Sequence, residues 1–138
     1  MKPVSSHVLK GLNVGSKLVC ADNSGAKIIQ IISVNKFKGK RRTAPRCGVS
    51  DVVRCKILKG NEKVMHEVHI AIVIRQKKEY RRADGTRLGF ESNAAILVNE
   101  KMEPKGSIIK GPVAREVIER FQPIGKLASL IVLWLWIL

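Results

Sequence analysis

Hydrophobic and polar residues alternate over short segments in the first two thirds of the chain, and clusters of turn-forming residues separate these segments. This spacing is typical of an all-β domain rather than of alternating strands and helices. It predicts five strands, at residues 17–21, 27–34, 49–58, 68–74 and 94–98. The fourth segment is apolar at both alternating sets of positions, so its strand should be buried on both faces. We therefore predict a small closed β-barrel of five strands.

A different hydrophobic period begins after Gly106. Pro112 stands where the first turn of a helix tolerates proline, and the apolar residues that follow fall on one helical face: Val113, Ala114, Val117, Ile118 and Phe121. This spacing predicts a helix over residues 112–121, ended by Pro123. Four charged residues should face away from its apolar stripe: Arg115, Glu116, Glu119 and Arg120. A second short helix is predicted over residues 124–131.

The end of the chain is strongly apolar, because residues 127–138 contain Ser129 as their one polar residue. A helix of this length would rise about 18 Å, whereas a bilayer has a hydrocarbon core of about 30 Å, so the segment cannot span a membrane alone. We interpret residues 1–132 as a single domain and residues 133–138 as an apolar tail. The tail could pack on a neighbouring protein, extend the last helix, or be disordered and prone to aggregation.

Charge indicates the kind of partner. The chain has 26 Lys and Arg residues against 11 Asp and Glu residues, a formal net charge of +15, while 45% of its residues are hydrophobic, enough for a folded core. Two segments between predicted strands concentrate the cations, the first basic segment (residues 36–46) and the second basic segment (residues 75–87). Their cations are Lys36, Lys38, Lys40, Arg41, Arg42 and Arg46 in the first, and Arg75, Lys77, Lys78, Arg81, Arg82 and Arg87 in the second. We read both as basic loops or hairpins that bind nucleic acid; a solvated surface that keeps the protein soluble is the alternative.

Aromatic residues narrow the choice of nucleic acid, since they make up only 4% of the chain. Proteins that bind single strands stack bases on several exposed rings, and the basic segments contain only Phe37 and Tyr80. No helix carries the row of Arg, Asn or Gln residues that reads a major groove. These observations favour recognition of structured RNA through its shape and phosphates.

No catalytic or metal-binding constellation emerges, and we expect no enzyme and no cofactor. The stretch from Gly106 to Gly111 begins like a phosphate-binding loop, but Pro112 and Val113 replace the residues that carry that chemistry. His66 and His69 would point to opposite faces of a strand. The odd count of three cysteines, Cys20, Cys47 and Cys55, fits reduced thiols, with Cys20 as a small buried hydrophobe. Nothing at the start of the chain resembles a targeting signal, which predicts the cytoplasm.

Four ordered blocks resemble a known family. AIVIRQKKEYRRADGTRLGFESNAAIL from Ala71, VCADNSGAK from Val19, CGVSDVV from Cys47 and KGPVARE from Lys110 are similar to the motifs of the universal large-subunit ribosomal protein number fourteen. The resemblance covers about residues 8–132. The first basic segment and the spacing within DGTRLGFESNAA look closer to the archaeal and eukaryotic branch than to the bacterial one.

This resemblance implies more than the composition does. Its members are five-stranded β-barrels with a projecting hairpin and short C-terminal helices. They bind large-subunit ribosomal RNA at the subunit interface near the sarcin-ricin region, help bridge to small-subunit RNA, and pack against neighbouring ribosomal proteins. In the archaeal and eukaryotic branch an anti-association initiation factor docks on the exposed face. Carried over, both basic segments would contact RNA, and Arg115 and Arg120 would contact the interface or the factor; the alternative for these two is charge pairing with Glu116 and Glu119.

Three other functions stay open at this level. The same charges would suit a free barrel-type RNA-binding module such as a translation factor or chaperone. A peripheral membrane protein could combine the basic surface with the tail, although we expect no membrane contact. An enzyme is the most distant alternative, since absent motifs are weak evidence.

Overall fold

Strands dominate the computed structural model of the protein, which describes residues 3–35, 37, 39 and 41–132. The elements in chain order are β1 (Leu12–Asn13), β2 (Lys17–Cys20), β3 (Ala26–Val34), β4 (Arg46–Cys47), β5 (Val52–Gly60), β6 (Val68–Arg75), β7 (Tyr80–Arg81), β8 (Arg87–Leu88), β9 (Ala94–Val98), β10 (Ile109–Ala114), α1 (Arg115–Arg120), α2 (Gln122–Gly125) and β11 (Ala128–Val132).

Five strands close into a barrel in the order β2-β3-β5-β6-β9. Neighbours are antiparallel except at the seam, where β2 and β9 run parallel and pair Val19 with Ala94 and Cys20 with Ala95. These are the five predicted strands, so the fold class is confirmed. The third strand begins at Val52 rather than at residue 49.

The barrel wall separates two hydrophobic clusters. The inner cluster fills the barrel and includes Ile29, Cys55, Ala71 and Val73. The outer cluster lies between the outside of β6 and β9 and the C-terminal elements, and Ile72 is among its residues. This arrangement explains why both faces of the fourth predicted strand are apolar, because alternate β6 residues enter different clusters.

The helix predicted over residues 112–121 is wrong in its first part. Residues Ile109–Ala114 form β10, which pairs in parallel with β11, and the helix extends only over Arg115–Arg120. Gly111 has φ +77, and the Arg75 side chain donates hydrogen bonds to the carbonyl oxygens of Lys110 and Pro112. The proline therefore lies in a two-stranded sheet rather than in a first helical turn.

The second predicted helix is also wrong in most of its length. Pro123 lies in the first turn of the four-residue α2 rather than ending α1, and Ala128–Val132 form β11. Strand pairing with β10 overrides the local apolar pattern. The tail at residues 133–138 lies outside the described residues. None of the helices in the described ranges is long and apolar enough to cross a membrane.

Candidate nucleic-acid interface

The second basic segment contains a short hairpin of β7 and β8. Tyr80 faces Leu88 and Arg81 faces Arg87 across the two strands. Because side chains alternate between the two faces of a strand, Tyr80 and Leu88 are buried while Arg81 and Arg87 are exposed. The Arg87 Nη1 lies 3.2 Å from the Glu79 Oε1. The hairpin therefore directs its cations outward from an apolar inner face.

The turn of this hairpin is held by local hydrogen bonds. The Asp84 Oδ1 accepts from the Thr86 backbone N–H at 3.0 Å and from its hydroxyl at 2.7 Å. The Arg82 backbone N–H donates to the Thr86 carbonyl at 2.8 Å. Lys77 and Lys78, which precede the hairpin, are both exposed.

Arg82, predicted from the sequence as one of the RNA contacts, points inward and is not on the exposed surface. Its side chain is 3% exposed, and its Nε lies 2.8 Å from the Oε1 of Glu116, which is fully buried. The prediction that Glu116 faces away from the apolar stripe is therefore wrong. Tyr80 and Arg82 lie two residues apart on one face, a strand alternation that could have identified Arg82 as inward.

The Glu116 carboxylate accepts hydrogen bonds from residues in distant parts of the chain. It accepts hydrogen bonds from the Ser6 hydroxyl at 2.7 Å, the Tyr80 hydroxyl at 2.8 Å and the Arg82 guanidinium. Burial raises the pKa of the Glu116 carboxyl, but the hydrogen bonds from Arg82, Ser6 and Tyr80 outweigh it, and the pKa lies below the usual value of 4.5. Burial and then the adjacent carboxylate raise the pKa of the Tyr80 phenol. Both groups therefore keep their ordinary charge at neutral pH.

Arg75, at the start of the second basic segment, is partly buried and tied to β10. Its guanidinium donates to the Ser92 hydroxyl at 3.1 Å and to the Pro112 carbonyl at 3.0 Å. Burial lowers the pKa of Arg75. These bonds give Arg75 a structural role between β6 and β10.

The first basic segment connects β3 to β5. Arg41, Arg42 and Arg46 are exposed, and Arg42 has φ +71. Three other predicted contact residues, Lys36, Lys38 and Lys40, lie outside the described residues. The returning part of the segment is anchored by β4, which pairs with β1 and places Cys47 in the inner cluster.

The structure brings the ends of both basic segments together at Gln76, a buried residue that sequence reasoning missed. Its side-chain carbonyl accepts from the Val49 N–H at 3.1 Å, just after the first segment. Its amide donates to the carbonyls of Leu9 at 2.8 Å and Lys78 at 2.9 Å. A buried amide with three backbone partners fixes local geometry, so Gln76 ties the start of the second basic segment to the chain just after the first. Only its position directly after an apolar strand distinguishes Gln76 in the sequence.

The two helix cations have different environments. The Arg115 Nε lies 3.1 Å from the Glu119 Oε1, four residues along α1. Arg120 donates to the Ser50 carbonyl at 3.3 Å and lies 3.7 Å from the Asp51 carboxylate. Arg115 therefore forms one of the two charge pairs considered in the sequence analysis, with Glu119, whereas the buried Glu116 pairs with Arg82.

The cysteines and the glycine-containing stretch, considered above for catalysis and phosphate binding, occupy structural positions in the fold. Burial raises the pKa of Cys20 and of Cys47 to about 12 and that of Cys55 to about 11. The Asn23 side chain accepts from the Ser107 N–H at 2.8 Å, which holds the glycine-containing stretch near Ser107 as a loop. No group of three or more His, Cys, Asp or Glu side chains within the described ranges could hold a metal ion.

Comparison with known proteins decides the family. The family model described as ribosomal protein L14p/L23e matches residues 11–132. Proteins named large ribosomal subunit protein uL14 are 46% identical in Methanocorpusculum labreanum and 48% identical in Methanoregula boonei, each over 132 residues, 96% of this chain and 100% of the relative. The chain belongs to the uL14 family. The uL14 of Methanococcus vannielii is 47% identical over 131 residues, 95% of this chain and 99% of the relative.

Membership in the uL14 family confirms the resemblance seen in the four sequence blocks. These three relatives are archaeal, in agreement with the branch indicated by the sequence. The matched region contains both basic segments, the barrel and the C-terminal elements, and the tail at residues 133–138 lies beyond it. A uL14 protein is a component of the large ribosomal subunit, and the family indicates a structural role rather than catalysis.

Proposed function

We propose that the protein is a structural constituent of the large ribosomal subunit that binds large-subunit ribosomal RNA through its two basic segments. One observation supports the proposed RNA contact. Gln76 bonds the Val49 N–H, just after the first segment, and the Lys78 carbonyl in the second, so the two segments are anchored near each other and their exposed cations can bind neighbouring phosphates of a folded backbone. Membership in the uL14 family supports the assignment to the large subunit.

The proposed contact residues are those cations that face solvent, together with the three sequence-predicted lysines of the first segment. They are Lys36, Lys38, Lys40, Arg41, Arg42, Arg46, Lys77, Lys78, Arg81 and Arg87. Arg75 and Arg82 are assigned to the scaffold because their guanidinium groups bind protein acceptors. No reaction is proposed, and recognition rests on charge and shape.

The finer placement follows from the family resemblance. We propose that the protein lies at the subunit interface, where it contributes to a bridge with small-subunit RNA, packs against neighbouring ribosomal proteins, and offers its exposed face to an anti-association initiation factor. Arg115 and Arg120 on α1 are the proposed interface contacts; both retain partly exposed side chains. This placement implies a cytoplasmic location on the ribosome.

Sedimentation tests the assignment to the subunit. A lysate fractionated on a sucrose gradient should show this chain migrating with the large subunit, before and after a high-salt wash and subunit dissociation. A chain that stays at the top of the gradient, or washes off completely, would instead favour a reversible RNA-binding module.

Salt dependence tests the contact residues. If about six cations each neutralise a phosphate, log affinity for large-subunit RNA should fall with log salt with a slope of about −4 to −5. Arg41→Ala combined with Arg42→Gly should reduce the magnitude of this slope by about one to two; glycine suits the positive φ of Arg42. Lys59→Ala with Lys101→Ala removes two exposed cations outside both segments and serves as the control. Equal slopes for the two variants would exclude the first segment as a phosphate contact.

A further inference from the structure

The outer barrel wall carries a groove that lies outside both basic segments. It has a volume of about 340 Å³ and is formed by β5, β6, the end of β9 and the turn that follows. Its apolar floor consists of Val68, Ile70 and Val98. Val68 is 60% exposed, an unusual degree for an aliphatic residue in a paired strand.

Two cations stand at the rim of this groove. Arg54 is exposed, and its guanidinium forms no hydrogen bond or ion pair with the residues that the structure describes. The Lys105 Nζ lies 2.8 Å from the His69 Nδ1, and the His69 Nε2 lies 2.9 Å from the Glu67 carboxylate. Because Nδ1 accepts from the ammonium, Nε2 carries the ring proton and donates it to Glu67. This chain of contacts holds the Lys105 ammonium in place with hydrogens left to donate.

The lining also contains Asn99, whose side-chain oxygen accepts from the backbone N–H groups of Lys101 and Glu103, and the exposed carboxylate of Glu100. A carboxylate beside two cations disfavours a bare phosphate as the sole occupant, but it can accept a hydrogen bond from a sugar hydroxyl or from a base amino group. An apolar floor, a cationic rim and one acceptor together match the three parts of a nucleotide. The volume is at the low end of small-ligand sites, which range from about 300 to 1,000 Å³, so it suits one nucleotide rather than a duplex.

The groove is well separated from the second basic segment. Val68 is the first residue of β6 and Arg75 is the last. At about 3.3 Å per residue, the two ends of this strand are roughly 23 Å apart. A nucleotide in the groove would therefore be a contact additional to those of the second basic segment.

We propose that this groove binds a single unstacked RNA nucleotide, with its phosphate on Arg54 and Lys105 and its base on the floor of Val68, Ile70 and Val98. The proposal rests on the proposed function, because it extends the RNA contact along the barrel wall. RNA that leaves a helix at this point presents both a phosphate and an unpaired base. Direct contact with the floor is what distinguishes this site from general attraction to a basic surface.

Matched double variants of the full chain test the proposal. Arg54→Ala with Lys105→Ala removes the rim, and Lys59→Ala with Lys101→Ala removes one exposed cation from the same strand and one from the same turn, outside the groove. Both variants lose two positive charges. We expect the rim variant to bind large-subunit RNA about tenfold more weakly than the control variant. The slope of log affinity against log salt should be smaller in magnitude by about one for the rim variant than for the control variant, since both rim cations share one phosphate.

Crosslinking with RNA that contains 4-thiouridine gives a second measurement. Trypsin cleaves after Lys63 and after Arg75, so the floor residues of β6 lie in the peptide of residues 64–75. This peptide should crosslink in the wild-type protein and in the control variant but not in the rim variant. Val68→Glu, which places a carboxylate on the exposed floor, should also abolish the crosslink. This variant replaces the rim variant in the test if the rim variant does not fold.

The outcomes separate the two proposals. Wild-type binding with equal affinities for rim and control variants, or without a crosslink in residues 64–75, overturns the groove and leaves the proposed function intact. Failure of the wild-type protein to bind large-subunit RNA rejects the proposed function, and the groove proposal with it.

Discussion

Single residues link parts of the chain that are far apart in sequence, and Glu116 does so most extensively. Its carboxylate binds Ser6 near the start of the chain, Tyr80 and Arg82 in the hairpin segment, and it lies on α1 itself. Arg82 also donates to the Val132 carbonyl at the end of β11, at 3.0 Å. The orientation of the hairpin, and of the cations on its outer face, therefore depends on one buried ion pair.

Replacing Glu116 by Gln should destabilise the protein strongly. The substitution leaves the Arg82 guanidinium buried without its counter-charge, which typically costs about 3–5 kcal/mol. Urea unfolding should show this loss as a lower midpoint. Glu119→Gln removes the partner of Arg115 in a partly exposed ion pair and should change the free energy of unfolding by less than about 1 kcal/mol. Similar midpoints for the two variants would contradict the role of the buried pair.

The same carboxylate predicts a pH dependence of stability. The pKa of Glu116 is lower in the folded protein than its usual value of 4.5, so the folded state binds this proton less readily than the unfolded state. Its stabilisation should be fully present above about pH 4.5 and should decline as pH falls through the lowered pKa. Urea unfolding over a pH series measures this decline. Glu116→Gln should flatten it, and an unchanged profile in that variant would count against the assignment.

At the scale of elements, β10 depends on a close contact between a glycine and an arginine. A Cβ at Gly111 would lie 2.9 Å from the Arg75 Nη1, and the backbone there has φ +77. Arg75 in turn holds the carbonyls on both sides of Gly111. A side chain at this position would therefore disturb the attachment of β10 to the barrel wall.

Gly111→Ala should thus destabilise the protein more than Gly15→Ala does. Gly15 has φ +92, but a Cβ there would meet no atom within 4 Å. Its replacement carries only the cost of a left-handed alanine, about 1–2 kcal/mol, whereas Gly111→Ala also displaces Arg75. Thermal or urea unfolding of both variants checks the difference. Equal losses would show that the Arg75 contact contributes nothing beyond backbone strain.

The elements also show where sequence reasoning succeeds. The five barrel strands were predictable because alternation and two-sided burial leave a strong local signal, as in β6. Residues 112–114 and 128–131 were wrongly assigned to helices because Val113 and Ala114 fit a helical face equally well, while the partner of β10 is a later, parallel strand. Pairing over such a distance leaves no local mark in the pattern.

The candidate interface was predictable to a similar extent. Clusters of charge identified both basic segments, since composition alone reveals them. Charge counting could not separate the exposed Arg81 from the buried Arg82, because this depends on a two-residue strand and on Glu116 opposite it. The rim cations Arg54 and Lys105 were missed because neither lies in a charge cluster.

On the scale of the whole molecule, the inner and outer clusters share the wall of β6 and β9, so neither can be dismantled alone. The three cysteines lie inside this shared structure. Opening of the barrel should therefore be a global event.

Thiol labelling should report this event. In the native protein at pH 8, burial and the raised pKa values keep Cys20, Cys47 and Cys55 as unreactive thiols. Reaction with a thiol reagent should be at least about a thousandfold slower than in denaturant, because only the unfolded fraction reacts. The three rates should also be similar. Rapid labelling of one cysteine in the native state would reveal local opening instead.

The parallel seam of the barrel has a consequence for synthesis of the chain. Translation delivers β2 early, yet its second partner is β9, which pairs Ala94 and Ala95 with Val19 and Cys20. Until β9 has emerged, β2 keeps an unpaired edge and the inner apolar side chains stay accessible. A nascent chain that stalls before Ala94 is therefore an open sheet, a form prone to aggregation and suited to capture by chaperones. Closure of the barrel therefore separates chains that extend through β9 from chains truncated before it.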